Sequence, residues 1–344
     1  MKKWCLIIIL LMVGCVTNPF VELNEKQFPT AEEYRVNLVK RLMNQNDKYM
    51  VLPTAVRKPN GDEVNLATMS DEGVYGELRR LDNAIYGLTD DRTDVYEIIN
   101  REILLNTEGV ASLWPGWRVQ KTWRGTYNLS TSEYGESMNL HDDEPFFSQP
   151  VGAFCTAFLV EKDIIVTAGH CCEEWNVESA KIVFGFQMKD SRKAITSIPE
   201  KDVFSVIEVI ARKKTSDGLD YAVLRLDRPC NRPKLKLSKY DVAKGDRVYV
   251  IGHPVGLPLK VAGNAKVGDV SDKYEFKAYL DTYGGNSGSP VFNDKNEVVG
   301  ILVRGAQDFI WVNGKRRSMR IPTLTQKYYG EGVTKVSVFK QLIP

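Results

Sequence analysis

Gly284-Gly285-Asn286-Ser287-Gly288-Ser289-Pro290 is the stretch on which the reading of this 344-residue chain turns. A serine hydroxyl is a weak nucleophile at its own pKa and needs a base beside it. A Gly-rich bend presents such a serine at a tip, where backbone N–H groups face the negative charge that develops on a carbonyl oxygen. Gly285, lacking Cβ, is free to take the positive φ that turns its N–H inward. The chain has three histidines. His141 lies in a polar stretch and reads as a surface residue, and His253, in a Gly-Pro turn, reads as a structural hydrogen-bonding residue. His170, in Thr167-Ala168-Gly169-His170-Cys171, is the candidate base. Ser287 and His170 together point to acyl transfer.

Such a base needs an acid to orient it. Asp220-Tyr221-Ala222-Val223-Leu224-Arg225-Leu226 lies between the two segments, and the polar–apolar alternation after the acid predicts a strand. Further short strands are expected at Ile164–Val166, Lys181–Phe186, Phe204–Ile210, Arg247–Ile251, Phe276–Leu280, Val298–Val303 and Phe309–Val312, with turn residues between them. Many short strands at this spacing suggest two packed antiparallel barrels. Trp114-Pro115-Gly116-Trp117 reads as a turn whose tryptophans pack into a core, Ser130 to Pro150 reads as a loop, and Val333 to Pro344 as a final strand and helix.

The order His170, Asp220, Ser287 resembles the trypsin/chymotrypsin family over roughly Gly152 to Arg304. The resemblance implies an all-β, trypsin-like double β-barrel with the triad in the cleft between barrels. It implies that Ser287 Oγ attacks the carbonyl, His170 relays the proton, Asp220 fixes the imidazole tautomer, and the backbone N–H groups of Gly285 and Ser287 form the oxyanion hole. Gly285-Asn286-Ser287-Gly288-Ser289-Pro290-Val291-Phe292-Asn293 is most similar to the bacterial glutamyl-endopeptidase branch, as is Asp90-Asp91-Arg92 upstream. Asn286 carries no charge, so the ion pair that an Asp makes with a new N-terminus in animal trypsins is not expected here.

The specificity residues depart from that branch. Its members use a His fifteen residues after the nucleophile, where this chain has Leu302; a glutamate preference is therefore not expected. Thr282, five before the serine, is retained as a pocket residue. Asp281, six before it, stands where trypsins hold the acid that binds Arg or Lys. Cleavage after Arg or Lys is one expectation. A purely structural Asp281, bonding the pocket loop, is the other. Two alternatives to an endopeptidase are a protease-fold peptide-binding protein and an esterase using the same triad. The intact triad argues against the first. The second, on an α/β-hydrolase fold, would call for Gly-x-Ser-x-Gly, and this chain has Ser289 in the last position.

Six cysteines occur, Cys5 within the leader. By the family resemblance Cys155 pairs with Cys171 beside the active site, a bridge that would contribute about 3 kcal/mol. Cys172 and Cys230 remain as a possible second pair. Disulfides imply an oxidising compartment. No CxxC pair or histidine cluster supports a metal, and the mechanism requires no cofactor. Asp142-Asp143-Glu144 reads as a solvated acidic face.

Met1-Lys2-Lys3, the apolar run Trp4 to Val13 and Gly14-Cys15 read as a bacterial lipoprotein signal, residues 1–14, with Cys15 as the lipidated residue. The run is short of the 20 or so residues of a membrane span. The expected location is the bacterial cell envelope, anchored and facing the periplasm or exterior, or secreted if the leader is cleaved without lipidation. Residues 15–85 are expected to form a partly helical extension, with helices at Ala31 to Met50 and Val74 to Leu81, acting as prosegment or spacer. Residues 86–344 are expected to form the protease domain. The net charge of +2 argues against a broad nucleic-acid-binding field. The expected partners are a peptide or protein substrate and the membrane.

Overall fold

The computed structural model describes residues 90–344 apart from 173–176, 216–217, 306–307, 319 and 322–329, together with the short pieces 56–57, 63–65 and 85–86. The leader, Cys15 and the two helices expected before residue 82 lie outside the described residues. In chain order the elements are β1 (Arg92–Asp94), α1 (Arg101–Thr107), β2 (Val110–Trp114), β3 (Val119–Lys121), β4 (Thr126–Leu129), α2 (Tyr134–Met138), β5 (Cys155–Glu161), β6 (Ile164–Thr167) and β7 (Lys181–Phe184). They continue with β8 (Ser197–Pro199), β9 (Val203–Lys214), β10 (Asp220–Leu226), β11 (Arg247–Gly252), β12 (Lys260–Asp269) and β13 (Glu275–Ala278). The last are β14 (Pro290–Asn293), β15 (Val298–Arg304), β16 (Phe309–Val312), β17 (Lys315–Ser318), β18 (Glu331–Lys335) and α3 (Val336–Phe339).

Two antiparallel barrels result. The first closes in the order β5-β6-β10-β9-β7-β2, with β2 pairing back onto β5. The second runs β11-β14-β15-β18-β13-β12 and closes through β12 on β11. Ile164-Ile165-Val166-Thr167 is buried along its whole length, as a strand walled on both faces must be. Closure removes the unpaired edges that an open sheet would present. One apolar cluster joins the barrels, with Phe158, Val166 and Leu224 from the first meeting Ile251, Phe292 and Ile301 from the second.

β1 adds a seventh strand to the second barrel. The second half of β12 pairs with β13; the edge of its first half is taken by β1, with Lys260 opposite Asp94 and Ala262 opposite Arg92. Behind this pairing Lys260 Nζ donates to Asp94 Oδ1 (2.5 Å) and Gln149 Oε1 (2.7 Å), while Gln149 Nε2 donates to Asp94 Oδ2 (2.8 Å). All three side chains are buried. A charge is tolerated in such surroundings only with its partners satisfied.

Three local expectations need correction. The Ser130–Pro150 stretch contains α2, because Tyr134 packs into a small apolar cluster with Leu140, Leu257 and Tyr283. Trp114 lies in the core, but Trp117 is exposed. His141 is half-buried, its Nε2 2.8 Å from the Val312 carbonyl oxygen. The triple acid is paired as well as solvated, with Asp142 on Lys315 and Asp143 on Arg317 across the β16–β17 hairpin.

Candidate active site

Strand register brings His170 to Asp220. β6 pairs with β10 so that Ile164 faces Arg225 and Thr167 faces Ala222. Continuing that register two residues past Thr167 reaches Gly169 and Asp220, one step from His170. Asp220 is 6% exposed. Its Oδ2 lies 2.8 Å from His170 Nδ1, and its Oδ1 accepts the His170 backbone N–H at 3.1 Å. This bidentate hold makes Nδ1 the protonated ring nitrogen and leaves Nε2 to accept. Thr334 of the second barrel donates its hydroxyl to the Asp220 carbonyl (2.9 Å), and Arg212 Nε donates to the Gly169 carbonyl (2.9 Å). Gly169 is required there, since a Cβ would meet the Lys213 carbonyl oxygen at 2.2 Å.

The Ser287 bend is fixed from the other barrel. Pro290 pairs with Ile301, and the pairing continues backward as Leu302 N donates to Ser289 O (2.9 Å) and Gly288 N to Leu302 O (2.7 Å). Gly285 and Gly288 both have φ of +89°. Thr156 of the first barrel donates its N–H to the Ser287 carbonyl (2.9 Å) and its hydroxyl to the Gly285 carbonyl (3.0 Å). Cys171 Sγ lies 3.6 Å from the Ser287 carbonyl oxygen. The bend is thus seated against the segment that carries His170, and both Ser287 and His170 are half-buried.

Peptide orientation follows from these bonds. The Gly284 carbonyl accepts Val255 N–H (2.5 Å), and the Asn286 carbonyl accepts Ser289 N–H (2.9 Å). In a trans peptide the C=O and the following N–H point in opposite directions. The Gly285 and Ser287 N–H groups therefore point away from those two donors, and neither makes a hydrogen bond among the described residues. Val255 holds its end of this contact at φ 47°, a costly region for a β-branched residue.

The disulfide Cys155–Cys171 is present. The Cys172–Cys230 bridge is not formed, and the reason is distance along β6. Cys230 N–H bonds the Lys162 carbonyl at one end of that strand, whereas Cys172 follows His170 beyond the other. The four residues of β6 alone span about 13 Å of extended chain, against a Cα separation below about 7 Å for a disulfide. Burial pushes the Cys230 thiol pKa up.

The three expected specificity residues are all buried. Leu302 faces the interior of the second barrel, because strand alternation sends Ile301 and Val303 to the inter-barrel side and Leu302 inward. Thr282 Oγ1 donates to Glu331 Oε2 (2.9 Å), with both residues buried. Asp281 is 3% exposed, and its Oδ2 accepts the Asp91 N–H at 3.1 Å. Burial and the neighbouring Asp281 charge push the Asp91 carboxyl up to about 9, so the two acids share one proton. Asp281 thus has a partner within the protein. Glu331 and Asp308 are the acids that motif spacing missed; both come from beyond the serine motif, with no fixed offset to betray them. Asp308 Oδ2 accepts the Gly284 N–H (2.8 Å), and burial raises its carboxyl to about 6. His253 is the structural residue expected: its Nδ1 donates to Leu257 O (2.9 Å), and burial pulls it down to about 3.

Two closed six-stranded barrels, with an acid-held histidine and a Gly-rich serine bend meeting at their seam, define a trypsin-like fold. Residues 155–301 match the family model of the trypsin-like peptidase domain. Similar solved structures include the active form of the Rv3671c protease from M. tuberculosis (14% identity, TM-score 0.40, covering 71% of this chain and 83% of that one). A Glu endopeptidase in complex with MPD (16%, 0.43, 75% and 96%) and the Vibrio cholerae VesB protease (14%, 0.44, 74% and 67%) are also similar.

Proposed function

We propose that the chain is a serine endopeptidase that works through an acyl-enzyme. The observation that carries this is the Asp220 carboxylate holding His170 at both its backbone N–H and Nδ1, with the Ser287 bend docked on the adjoining residue. Ser287 Oγ attacks the scissile carbonyl and passes its proton to His170 Nε2. Asp220 stabilises the imidazolium that forms. The Gly285 and Ser287 N–H groups take the oxyanion, and His170 returns the proton to the leaving amine. Water then repeats the sequence on the ester. No cofactor enters any step.

In this reading a preference for Arg or Lys rests on Glu331 rather than on Asp281. Glu331 lies beside Thr282 and against Gly305, where a Cβ would meet its Oε2 at 2.4 Å. Residues 86–344 form the protease domain, and residues 15–85 are a separable extension tethered through lipid on Cys15.

The test is digestion of a mixed peptide library by the full chain and its Ser287→Ala variant, with cleavage sites read by mass spectrometry. Cleavage by the parent and none by a folded Ser287→Ala is the expected result. Undiminished cleavage by Ser287→Ala refutes the assignment. Cleavage after Arg or Lys that Glu331→Gln weakens supports the specificity; cleavage elsewhere rejects it and leaves the mechanism standing.

A further inference from the structure

The serine bend needs something to hold its shape, and residue 286 is not equipped to do it with charge. Asn286 is neutral and 3% exposed; its Oδ1 faces Ser289 Oγ at 3.4 Å, and its side chain packs where a Cβ on Gly252 would go. The support comes instead from Arg92 and Asp308.

Arg92 is buried on β1, and Asp90 grips it from Nε (2.8 Å) and Nη2 (2.6 Å). Its guanidinium carbon lies 4.1 Å from the centre of the Tyr283 ring and 5.2 Å from that of Phe146. A guanidinium over a ring face is attracted by the ring quadrupole, more strongly where water is excluded. Tyr283 begins the bend, and its carbonyl accepts the Asn286 N–H (3.0 Å). The next N–H, of Gly284, donates to Asp308, whose carboxylate lies within the field of Arg92. The same cation thus bears on two consecutive residues of the bend. Fixing the 283–284 peptide sets the approach of the 284–285 peptide, whose N–H is the first oxyanion donor.

We propose that Arg92 and Asp308 are positioning residues that hold the Tyr283–Gly285 segment in its oxyanion-binding shape, in place of a charge at position 286. The inference rests on the serine-peptidase reading above. It makes β1 part of the catalytic apparatus, and it explains why a three-residue strand carries a buried arginine. Neither residue touches substrate. Both act through the direction of the Gly285 N–H.

The experiment uses the full chain with Arg92→Met, Asp308→Ala and Asp308→Asn. Four readouts are taken: labelling of Ser287 by a fluorophosphonate, kcat and KM per titrated site on a peptide substrate, affinity for a peptide boronate, and Tm. A boronate forms a tetrahedral adduct and needs the oxyanion hole, so its affinity tracks kcat. Asp308→Ala is expected to lower kcat about 10- to 100-fold, with KM changed less than about threefold and boronate affinity falling with kcat. Asp308→Asn, whose amide oxygen still accepts the Gly284 N–H, is expected to recover most of that loss. Arg92→Met is expected to lower kcat in the same manner and Tm as well; Asp308, nearer the surface, keeps the inference testable if Arg92→Met does not fold. Unchanged kcat per site in Asp308→Ala, or a rise in KM with kcat held, overturns the inference alone. Failure of the wild-type chain to label at Ser287 overturns the peptidase reading and this inference with it.

Discussion

Replacing Asp91 by Asn should make the protein more stable, and increasingly so as pH rises. In the fold Asp91 faces the buried Asp281 carboxylate and titrates at about 9, against an ordinary value of 3.8. Between those two values the folded protein holds one proton that the unfolded chain has released. The group's stability contribution is therefore complete below pH 4, falls as pH rises, and levels off above pH 9. Each pH unit in that window costs about 1.4 kcal/mol, which puts the cost at pH 7 near 4 kcal/mol as an upper bound. Asparagine can donate to Asp281 without taking up a proton. Its second amide hydrogen enters a partly buried site at a cost of about 1–3 kcal/mol. The net gain at pH 7 is then on the order of 1–3 kcal/mol, or a few degrees in Tm for a domain of this size. The assay is urea unfolding of wild type and Asp91→Asn from pH 5 to 10. The difference between them should widen with pH and flatten above 9. A difference that stays constant across that range, or a variant less stable at pH 9, would refute the shared proton.

Lys260→Met should destabilise the protein by about 3–5 kcal/mol, since it strands the buried Asp94; Lys260→Met with Asp94→Asn should recover a good part, read as unfolding midpoints of single and double variants. In denaturant, a thiol reagent applied without reductant should modify Cys172 and Cys230 but not Cys155 or Cys171; mass spectrometry of the peptides checks this, and a protected Cys230 would reinstate the second bridge. Cys15→Ser should move the chain from the membrane to the soluble fraction, and intact mass should then lack the lipid; an unchanged distribution rejects the tether.

Sequence alone singled out Ser287, His170 and Asp220 as candidates, because each sits in a short local pattern with its own chemical reason. A serine needs a Gly-rich bend, a base needs a histidine, and this chain has three histidines from which to choose. The strand-rich rhythm from Val151 onward likewise made two barrels legible, since burial on both faces leaves continuous apolar runs such as Ile164-Ile165-Val166. The Cys155–Cys171 bridge came through resemblance and is present.

Tertiary structure decided what motif spacing could not. Offsets from Ser287 singled out Asp281 and Leu302, but an offset along the chain does not say which way a side chain faces. Strand alternation turned Leu302 into the barrel, and the docking of β1 gave Asp281 a carboxyl partner 190 residues away. Cys172 and Cys230 looked like a pair only because they were the cysteines left over, and the four-residue strand β6 separates them. Glu331 and Asp308 were silent in the sequence, and Arg92 stood out only within a family-like segment, since their contacts arise from residues brought together by barrel closure. Local patterns encode reactive groups; the long-range pairing of strands determines what each group meets.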